Sequence, residues 1–325
     1  MSKALGLMSG GLDSTLAAMT LMRQGIEVTG ISFVTPFFGA EKAKTAAGLI
    51  GFPLIIQEIS DIHLEMVKKP TYGYGRNMNP CIDCHAMMFR LAGEIMEKEG
   101  FDFLFSGEVL GQRPMSQNAN ALCSVAKHSG YPQRVLRPLS AKLLPITAME
   151  ESGLVDREKL LDFQGRSRKP QQALAVQWDY PDFPSSGGGC LLTEEGFSNQ
   201  LRDLLQNNQL ATSHDVELLK AGRQFRLSPT SKLILGRHQA NNDRIQQLAK
   251  GTQLKLRCRN FNGPLGLFCG EQTEQSLQMA AAILASYGKG KDEAEVEVLF
   301  NNDDQDFAIK VAPMPRAASR ELLLA

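Results

Sequence analysis

The chain has 325 residues, of which 43% are hydrophobic and 22% are charged, so it can form two globular domains with buried cores. Lysine plus arginine and aspartate plus glutamate both total 35, and this balance excludes nucleic-acid binding through overall charge. The N-terminus is not typical of a signal peptide and no apolar run reaches transmembrane length, so we expect a cytoplasmic protein without membrane association. In that reducing compartment the six cysteines are expected to bind metal, do redox chemistry or lie buried.

Strand-like and helix-like segments alternate through the first half of the chain. The predicted strands are Ala4–Met8, Val28–Val34, Pro53–Ile59 and Phe101–Ser106, and the predicted helices are Ser14–Arg23, Ala40–Ile50 and Met87–Glu99. This alternation predicts an α/β domain built on a doubly wound parallel sheet. Ligands of such sheets bind beyond the carboxyl ends of the strands.

A segment rich in proline, serine and glycine, Asp179–Gly189, predicts a loop or linker. We therefore expect one domain over residues 1–180 and a smaller α+β domain over residues 181–325. In the second domain the predicted helices are Phe197–Leu205, Asp215–Lys220 and Gln275–Ser286, and the predicted strands are Ser231–Leu235, Gln253–Cys258, Leu265–Phe268, Glu295–Phe300 and Phe307–Val311.

The sharpest motif is the string SGGLDST at residues 9–15, which follows the first predicted strand and opens a helix. Its glycines allow unusual dihedral angles and close approach of a ligand. The free N–H groups of the turn and the positive end of the helix dipole form an anion site. Asp13 suits a Mg²⁺ ion that bridges phosphates. The alternative is a glycine turn followed by an ordinary helix cap.

This SGGxDS pattern resembles the pyrophosphate-binding loop of the PP-loop ATPases, also called adenine nucleotide alpha hydrolases. These enzymes cleave ATP between the α and β phosphates and adenylate a substrate oxygen. The resemblance implies a PP-loop fold and an adenylating role for residues 1–180, with ATP as substrate and Mg²⁺ near Asp13. It assigns ATP binding to Met8, Ser9, Gly10, Gly11, Asp13, Ser14, Thr15, Phe33 and Gly107.

Cys81 and Cys84 form a CxxC motif at the start of a helix, where the dipole is expected to lower the thiol pKa. The spacing suits a redox pair, half of a zinc site or part of an iron–sulfur site. Cys190 is a third candidate, because the glycines before it let the backbone approach a bulky ligand. The other cysteines lie among apolar or strand residues and are expected to be buried: Cys123, Cys258 and Cys269.

The segment NPCIDC resembles the tRNA 2-thiouridine synthases, in which Asn-Pro and three further residues precede a catalytic cysteine; Cys84 fits that place. Cys190 resembles their second catalytic cysteine. Cys81 is an addition, and CxxC with a distant third cysteine resembles the iron–sulfur-dependent tRNA thiolases. In those enzymes three cysteines hold a [4Fe–4S] cluster that leaves one iron open to sulfide. We favour this arrangement on Cys81, Cys84 and Cys190, with a persulfide mechanism on Cys84 and Cys190, or a structural zinc, as alternatives.

Three cations, Arg166, Arg168 and Lys169, precede the glycine-rich run and are candidates to contact ATP phosphate or the tRNA backbone, or else form a solvated turn. A second, weaker cluster at residues 68–76 interleaves cations with tyrosines that can stack on an extruded base. Leu235–Asp243 and Arg257–Gly266 resemble parts of the RNA-binding module of ribosome quality-control proteins, which implies RNA docking by the second domain.

Together the resemblances imply an ATP-dependent tRNA sulfurtransferase in which Asp13, Cys84 and Cys190 are catalytic. The uridine carbonyl oxygen attacks the α phosphate, sulfur then attacks the activated carbon, and AMP leaves. Sulfide or a persulfide derived from a cysteine desulfurase is the expected sulfur donor. Two alternatives are another PP-loop ligase that forms amides or nitriles, and a non-catalytic nucleotide- and RNA-binding protein. The modified position and the oligomeric state stay open.

Overall fold

The computed structural model describes residues 2–180, 183 and 189–324. The chain divides into two compact units, Met1–Thr193 and Glu194–Ala325. The loop or linker predicted at Asp179–Gly189 lies largely outside the described residues. No helix among the described residues is long and apolar enough to cross a membrane.

The division between the units falls after Thr193 and not at residue 180, where the sequence analysis placed it. The segment that follows Cys190 is held by the N-terminal unit, which explains the difference. The backbone N–H of Leu191 donates to the carbonyl of Phe37 at 3.0 Å. The side-chain amide of Asn77 donates to the carbonyl of Thr193 at 2.7 Å. Cys190 therefore belongs to the N-terminal unit.

The N-terminal unit contains a five-stranded sheet in which every strand pair is parallel, with the order β3-β2-β1-β4-β5. The predicted doubly wound parallel sheet is thereby confirmed. The strands are β1 (Lys3–Leu7), β2 (Glu27–Val34), β3 (Leu54–Glu58), β4 (Phe103–Ser106) and β5 (Val135–Leu136). The helices are α1 (Leu12–Met22), α2 (Glu41–Ile50), α3 (Ser60–Lys68), α4 (Cys81–Glu99), α5 (Ala119–His128), α6 (Ala148–Glu151) and α7 (Lys169–Gln177).

Both faces of this sheet are buried at its centre, where neighbouring residues of one strand enter different hydrophobic clusters. Phe103 and Phe105 of β4 belong to one cluster, together with Leu16 of α1. Leu104, which lies between them, belongs to the other cluster, together with Phe89 of α4. This two-sided burial is what a parallel sheet with helices on both faces requires.

The strand order places a topological switch point at β1, which pairs with β2 on one side and with β4 on the other. Leu7, the last residue of β1, lies opposite Ser106, the last residue of β4. The turns that follow these two strands therefore leave the sheet side by side. In open α/β sheets this is the position where ligands bind.

The second unit has an antiparallel seven-stranded sheet with the order β11-β10-β8-β9-β7-β6-β12. Helix α11 covers a core formed with these strands. The strands are β6 (Arg223–Ser228), β7 (Ser231–Leu235), β8 (Leu254–Cys258), β9 (Gly266–Gly270), β10 (Val296–Asn301), β11 (Asp306–Val311) and β12 (Leu323–Leu324). The helices are α8 (Glu195–Asn207), α9 (Ser213–Leu219), α10 (Gln239–Leu248), α11 (Glu274–Ser286) and α12 (Arg316–Glu321).

Candidate active site

The glycine loop between β1 and α1 makes two close backbone contacts that leave no room for a side chain, one at Gly10 and one at Gly107. Gly10 has φ of 70°, and a Cβ atom there would lie 2.1 Å from the backbone carbon of Lys42. Gly107, directly after β4, packs on the loop so closely that a Cβ atom would lie 2.4 Å from the backbone nitrogen of Ser14. The two strand ends thus meet backbone to backbone.

Hydroxyl groups inside the loop hold its shape. The Ser14 and Thr15 hydroxyls donate to the carbonyl of Gly11 at 3.0 Å and 3.1 Å. The Ser9 hydroxyl accepts from the Gly11 N–H at 3.3 Å and lies 3.2 Å from the Ser14 hydroxyl. Ser14 and Thr15 are buried whereas Ser9 is exposed, so Ser9 is the hydroxyl best placed to meet a ligand.

Asp13 has one carboxylate oxygen engaged and one available. Its Oδ2 accepts from the side-chain amide of Gln112 at 2.8 Å and lies 3.7 Å from the Arg168 guanidinium. Its Oδ1 is buried and has no hydrogen-bond partner within the described part of the chain. Gln112 is held in turn by Gln171 at 2.9 Å. A buried carboxylate oxygen without a partner fits the expected role as a Mg²⁺ ligand.

Two of the residues expected to bind ATP lie in the core. Met8 and Phe33 are only 3% and 4% exposed and pack in the two hydrophobic clusters of the sheet. The N–H of Met8 donates to the carbonyl of Ile31 at 2.8 Å. A ligand at the strand ends would therefore meet the backbone of these residues, while their side chains shape the sheet beneath it.

The three cations expected to contact phosphate have different settings. Arg168 immediately precedes α7 and lies near Asp13, so the structure brings it to the glycine loop. Its Nε atom is buried and has no partner among the described residues. Arg166 and Lys169 are exposed. Their role as phosphate or tRNA contacts stays a prediction.

The CxxC motif lies in the first turn of α4, which begins at Cys81 and not at the predicted Met87. The Asn79 side chain donates to the sulfur of Cys81 at 3.3 Å. The Asp83 carboxylate, between the two cysteines, accepts the backbone N–H groups of Thr71 and Tyr72 at 2.9 Å and 3.0 Å. These bonds fold the segment before α4 back over the start of the helix.

The loop of Cys190 is tied to the same place. The carbonyl of Cys190 accepts from the N–H and the hydroxyl of Thr193 at 3.1 Å and 2.7 Å. Thr193 in turn accepts from Asn77, just before the CxxC helix. Cys81 and Cys190 both act electrostatically on Cys84, so the three thiols share one neighbourhood. Their present side-chain positions form no ready metal-binding group among the described residues.

The expectation of a lowered thiol pKa at this helix start is wrong for Cys84. Desolvation raises the pKa of Cys84 well above its usual value, and the charges of Cys190, Cys81 and Asp83 raise it further. Loss of water around the thiol and repulsion between like charges outweigh the helix dipole here. The surroundings therefore favour the thiol form.

His63 of α3 is a neighbour of Cys84 that the sequence analysis missed. Its Nε2 atom lies 3.3 Å from the Cys84 sulfur. Its ring lies 5.3 Å from the rings of both Phe37 and Phe38. Burial lowers the pKa of His63 to about 4, so the imidazole is neutral at pH 7. The two residues are 21 positions apart in the chain, and no motif spacing indicates that they are in contact.

A buried ionic network joins the cysteine helix to the end of β4. The Glu108 carboxylate accepts from His85 Nδ1 at 2.7 Å and from Arg137 Nε at 2.9 Å. Burial alone would raise the pKa of Glu108, but Arg137 and the hydrogen bond from His85 outweigh it and lower the pKa to about 2. His85, directly after Cys84, is thereby held with its Nε2 edge directed away from Glu108.

The remaining cysteines and the tyrosines are only partly as expected. Cys258 is buried as predicted, whereas Cys123 is exposed, because it lies on the outer side of α5. Tyr72 and Tyr74 are each 42% exposed. Tyr72 packs edge-on against His128 at 5.2 Å, which keeps its ring in a fixed orientation. The tyrosine cluster is therefore surface-accessible, and its stacking role stays a prediction.

The parallel sheet, its switch point and the glycine loop after β1 agree with the PP-loop α/β fold expected for the N-terminal unit. Comparison with known families agrees with this class. Residues 1–142 match the family model described as thiamine biosynthesis protein (ThiI). Residues 222–322 match the model described as NFACT protein RNA binding domain. The two matches fall on the two units separately.

Curated relatives carry names from tRNA thiolation. A tRNA-specific 2-thiouridylase of Sulfurimonas denitrificans is 35% identical over 123 residues, which are 34% of this chain and 36% of that protein. A probable tRNA sulfurtransferase of Thermotoga maritima is 27% identical over 230 residues, which are 67% of this chain and 55% of that protein. The predicted resemblance to PP-loop tRNA thiolases is confirmed.

The chain spans between about a third and about half of the length of these relatives. Among solved structures, a 4-thiouridine synthetase in complex with RNA and ATP is similar, with 22% identity and a TM-score of 0.36. That match covers 56% of this chain and 51% of the other.

Proposed function

We propose that this protein is an ATP-dependent tRNA sulfurtransferase. It adenylates a uridine carbonyl oxygen with release of pyrophosphate, and sulfur then replaces the oxygen with release of AMP. The names of the curated relatives and the RNA-binding match of the second unit support tRNA as the substrate. We place this reaction in the cytoplasm, where a reducing environment keeps the cysteines available.

One observation carries the proposal: the two residues that follow β4 contact both parts of the expected active site, the glycine loop and the cysteine helix. Gly107 packs on the backbone of Asp13 and Ser14 in the glycine loop. Glu108, the next residue, holds His85 in the first turn of the cysteine helix. A nucleotide on the loop and sulfur on the cysteines would therefore lie at the same edge of one sheet, which two-step replacement of an oxygen needs.

The glycine loop is suited to hold the phosphates of ATP. Backbone N–H groups at the start of α1 and the Ser9 hydroxyl would bind phosphate oxygens. The buried Oδ1 of Asp13, which has no hydrogen-bond partner among the described residues, would be a ligand of Mg²⁺, and the ion would supply positive charge to the phosphates. Arg168 would then meet the negative charge that develops at the α phosphate as the uridine oxygen attacks.

The cysteine set fits an iron–sulfur cluster in its chemistry, because three thiols share one neighbourhood. Cys81, Cys84 and Cys190 would hold a [4Fe–4S] cluster, which supplies an open iron that binds sulfide. The side chains of His63 and Phe37 would screen Cys84 from water. In the alternative, a persulfide on Cys84 delivers sulfur and leaves a disulfide with Cys190, which an external thiol must then reduce.

The decisive experiment uses anaerobically purified protein, an unmodified tRNA transcript, ATP, Mg²⁺ and sulfide. We expect thiouridine by nucleoside mass spectrometry, together with equal amounts of AMP and pyrophosphate. Cys84→Ser is expected to abolish thiouridine, whereas Cys123→Ser, at an exposed thiol outside the site, is the matched control. Turnover of ATP without thiouridine from any sulfur source would instead support a PP-loop ligase of another kind.

Iron and acid-labile sulfide analysis of the same preparation separates the two sulfur routes. The cluster route predicts bound iron that is lost in Cys81→Ser. The persulfide route needs a donor of sulfane sulfur, so it is assayed with a cysteine desulfurase and cysteine in place of sulfide. It predicts no bound iron, full activity of Cys81→Ser and a Cys84–Cys190 disulfide after one turnover.

A further inference from the structure

The second unit contains a cavity of about 340 Å³ that the thiolation chemistry does not use. The start of β6, the start of α10, the end of α11 and the start of α12 converge on it. Its lining includes three guanidinium groups, an imidazole and an aromatic ring, from Arg223, Arg237, Arg316, His238 and Tyr287. A cavity with this lining is cationic, although the chain as a whole has no net charge.

The three arginines of the cavity have no acidic partner in the part of the chain that the structure describes. None of their guanidinium groups lies within 4.0 Å of a carboxylate of the described residues. Elsewhere in the same unit, by contrast, Arg226 is paired with Asp203 at 2.5 Å and Arg259 with Glu297 at 2.9 Å. These two guanidinium groups are neutralised by carboxylates, whereas the three of the cavity have no carboxylate within that distance among the described residues.

Two of the three guanidinium groups are oriented by one ring. Arg316 lies 3.5 Å and Arg223 lies 5.0 Å from the centre of the Tyr287 ring. Cation–π contact fixes both side chains, and it also holds two positive charges near each other. Both arginines line the same cavity, and an anion bound there offsets their mutual repulsion.

The backbone around the third arginine is equally fixed. At Gly236 a Cβ atom would lie 2.0 Å from Oδ1 of Asn242, an oxygen that also accepts the N–H of Leu265 at 3.1 Å. The N–H of Arg237 donates to the side chain of Asn241 at 3.3 Å. Helix α10 starts here, so its positive dipole end adds to the charge of the cavity.

We propose that this cavity binds one phosphate group of the RNA substrate through Arg223, Arg237 and Arg316. Guanidinium groups match phosphate oxygens in charge and in the spacing of their donors. All three residues lie inside the segment that matches an RNA-binding domain model. The inference rests on the proposed function only in taking tRNA as the RNA. The phosphate belongs either to the 5′ end of the RNA or to its backbone.

The test measures binding of unmodified tRNA by the full chain as a function of salt. The variant Arg223→Gln/Arg237→Gln/Arg316→Gln is expected to bind about tenfold or more weakly, because several charge-assisted bonds are lost. The slope of log K against log salt is expected to fall by about 1, the value for one phosphate. The matched control Arg202→Gln/Arg257→Gln/Arg320→Gln removes equal charge from exposed positions of the same unit and should change both quantities far less.

Wild-type affinity and slope in the cavity variant would overturn the proposal. So would an equal loss in the control, which would indicate diffuse attraction. If the triple variant melts early, Arg237→Gln and Arg316→Gln, both at exposed positions, carry the same test singly. Removal of the 5′ phosphate from tRNA separates the two sources. If the cavity binds the 5′ end, this removal lowers the tRNA affinity of the wild type but not that of the cavity variant. If the cavity binds the backbone, it changes the affinity of neither protein.

Failure of this inference and failure of the proposed function give different results. Cys84→Ser should lose thiouridine formation and keep tRNA affinity and slope. The cavity variant should lose affinity and, at saturating tRNA, keep ATP-dependent thiouridine formation. If the wild type makes no thiouridine, the sulfurtransferase assignment is refuted. If the cavity variant nevertheless binds tRNA more weakly than the wild type, the proposed phosphate site is still supported.

Discussion

The two units present positive charge in different ways. In the N-terminal unit the expected phosphate site is made of backbone: glycines that pack against neighbouring main chain, and N–H groups at the start of α1. In the second unit the cavity is made of long side chains oriented by one tyrosine. Backbone donors cannot reorganise, which suits charge that develops during a reaction. Guanidinium groups reach further and suit a partner that must dock and leave.

The largest expected effect is that of a substitution at Cys84, which tests whether the backbone phosphate site works without the cysteines. Cys84→Ser is expected to reduce thiouridine formation below detection, since the substituted oxygen cannot carry transferable sulfur. Pyrophosphate release stimulated by tRNA should continue, because the glycine loop is unchanged. Parallel assays of thiouridine and pyrophosphate check this. Loss of both activities in a folded protein would mean that the two sites do not act separately.

A change in the glycine loop should have the complementary effect. Gly10→Ala places a methyl group 2.1 Å from backbone at a φ of 70°, so the loop must move. We expect a loss of about 100-fold or more in pyrophosphate release, the scale seen when a preorganised donor is removed. Gly25→Ala, also at a positive φ but with open space around it, is the control for backbone strain alone. Activity of Gly10→Ala equal to that of the control would contradict a backbone phosphate site.

Glu108 tests the link between the loop and the cysteines. Glu108→Gln leaves the Arg137 guanidinium buried without a charged partner, and we expect the free energy of unfolding to fall by about 3–5 kcal/mol at pH 7. Denaturant titration measures this. Glu158→Gln removes a carboxylate that is 89% exposed and should change stability by less than about 0.5 kcal/mol.

The same group predicts a pH dependence. Because the pKa of Glu108 falls from 4.5 to about 2 on folding, its ionisation stabilises the protein above pH 4.5. That contribution, on the order of 3 kcal/mol, is lost as the pH falls from about 4.5 towards 2. The difference between wild type and Glu108→Gln should therefore shrink in acid. A difference that is constant from pH 7 to pH 3 would contradict the ionic network.

The smallest expected effect concerns Tyr287. Tyr287→Leu keeps an apolar side chain but removes the ring on which Arg223 and Arg316 lie. We expect tRNA affinity to fall about two- to fivefold, the scale of one exposed cation–π contact. The salt slope should stay at the wild-type value, because the charges remain. A fall in the slope would mean that Tyr287 acts through the fold of the cavity.

Local sequence patterns were sufficient to predict the glycine loop and the alternation of strands and helices, because both depend on residues that are adjacent in the chain. The glycine string and the strands on either side of α1 were found in this way. Helix α10 was missed because only Ile245 and Leu248 of its ten residues are buried, so it has little apolar periodicity. The antiparallel partner of β7, strand β6, was missed as well, since its half-buried pattern carries two arginines.

The site was predicted only where a motif is contiguous. Cys81, Cys84 and Cys190 were named from spacing and glycine context, and the structure brings their segments together. His63 and the Glu108–Arg137 pair were not foreseen, because their contacts join residues 21 and 29 positions apart. The thiol pKa was wrong for a related reason. A helix dipole can be inferred from sequence, but desolvation depends on packing.

Gly107 has a mechanical consequence. With no side chain at this position, the end of β4 rests directly on the main chain of Asp13 and Ser14. There is no compressible layer between them, so a displacement of the loop must move Glu108, and with it the imidazole of His85. Binding of a nucleotide to the glycine loop is in this way mechanically coupled to the position of the first turn of α4. The coupling depends on the absence of a side chain at residue 107.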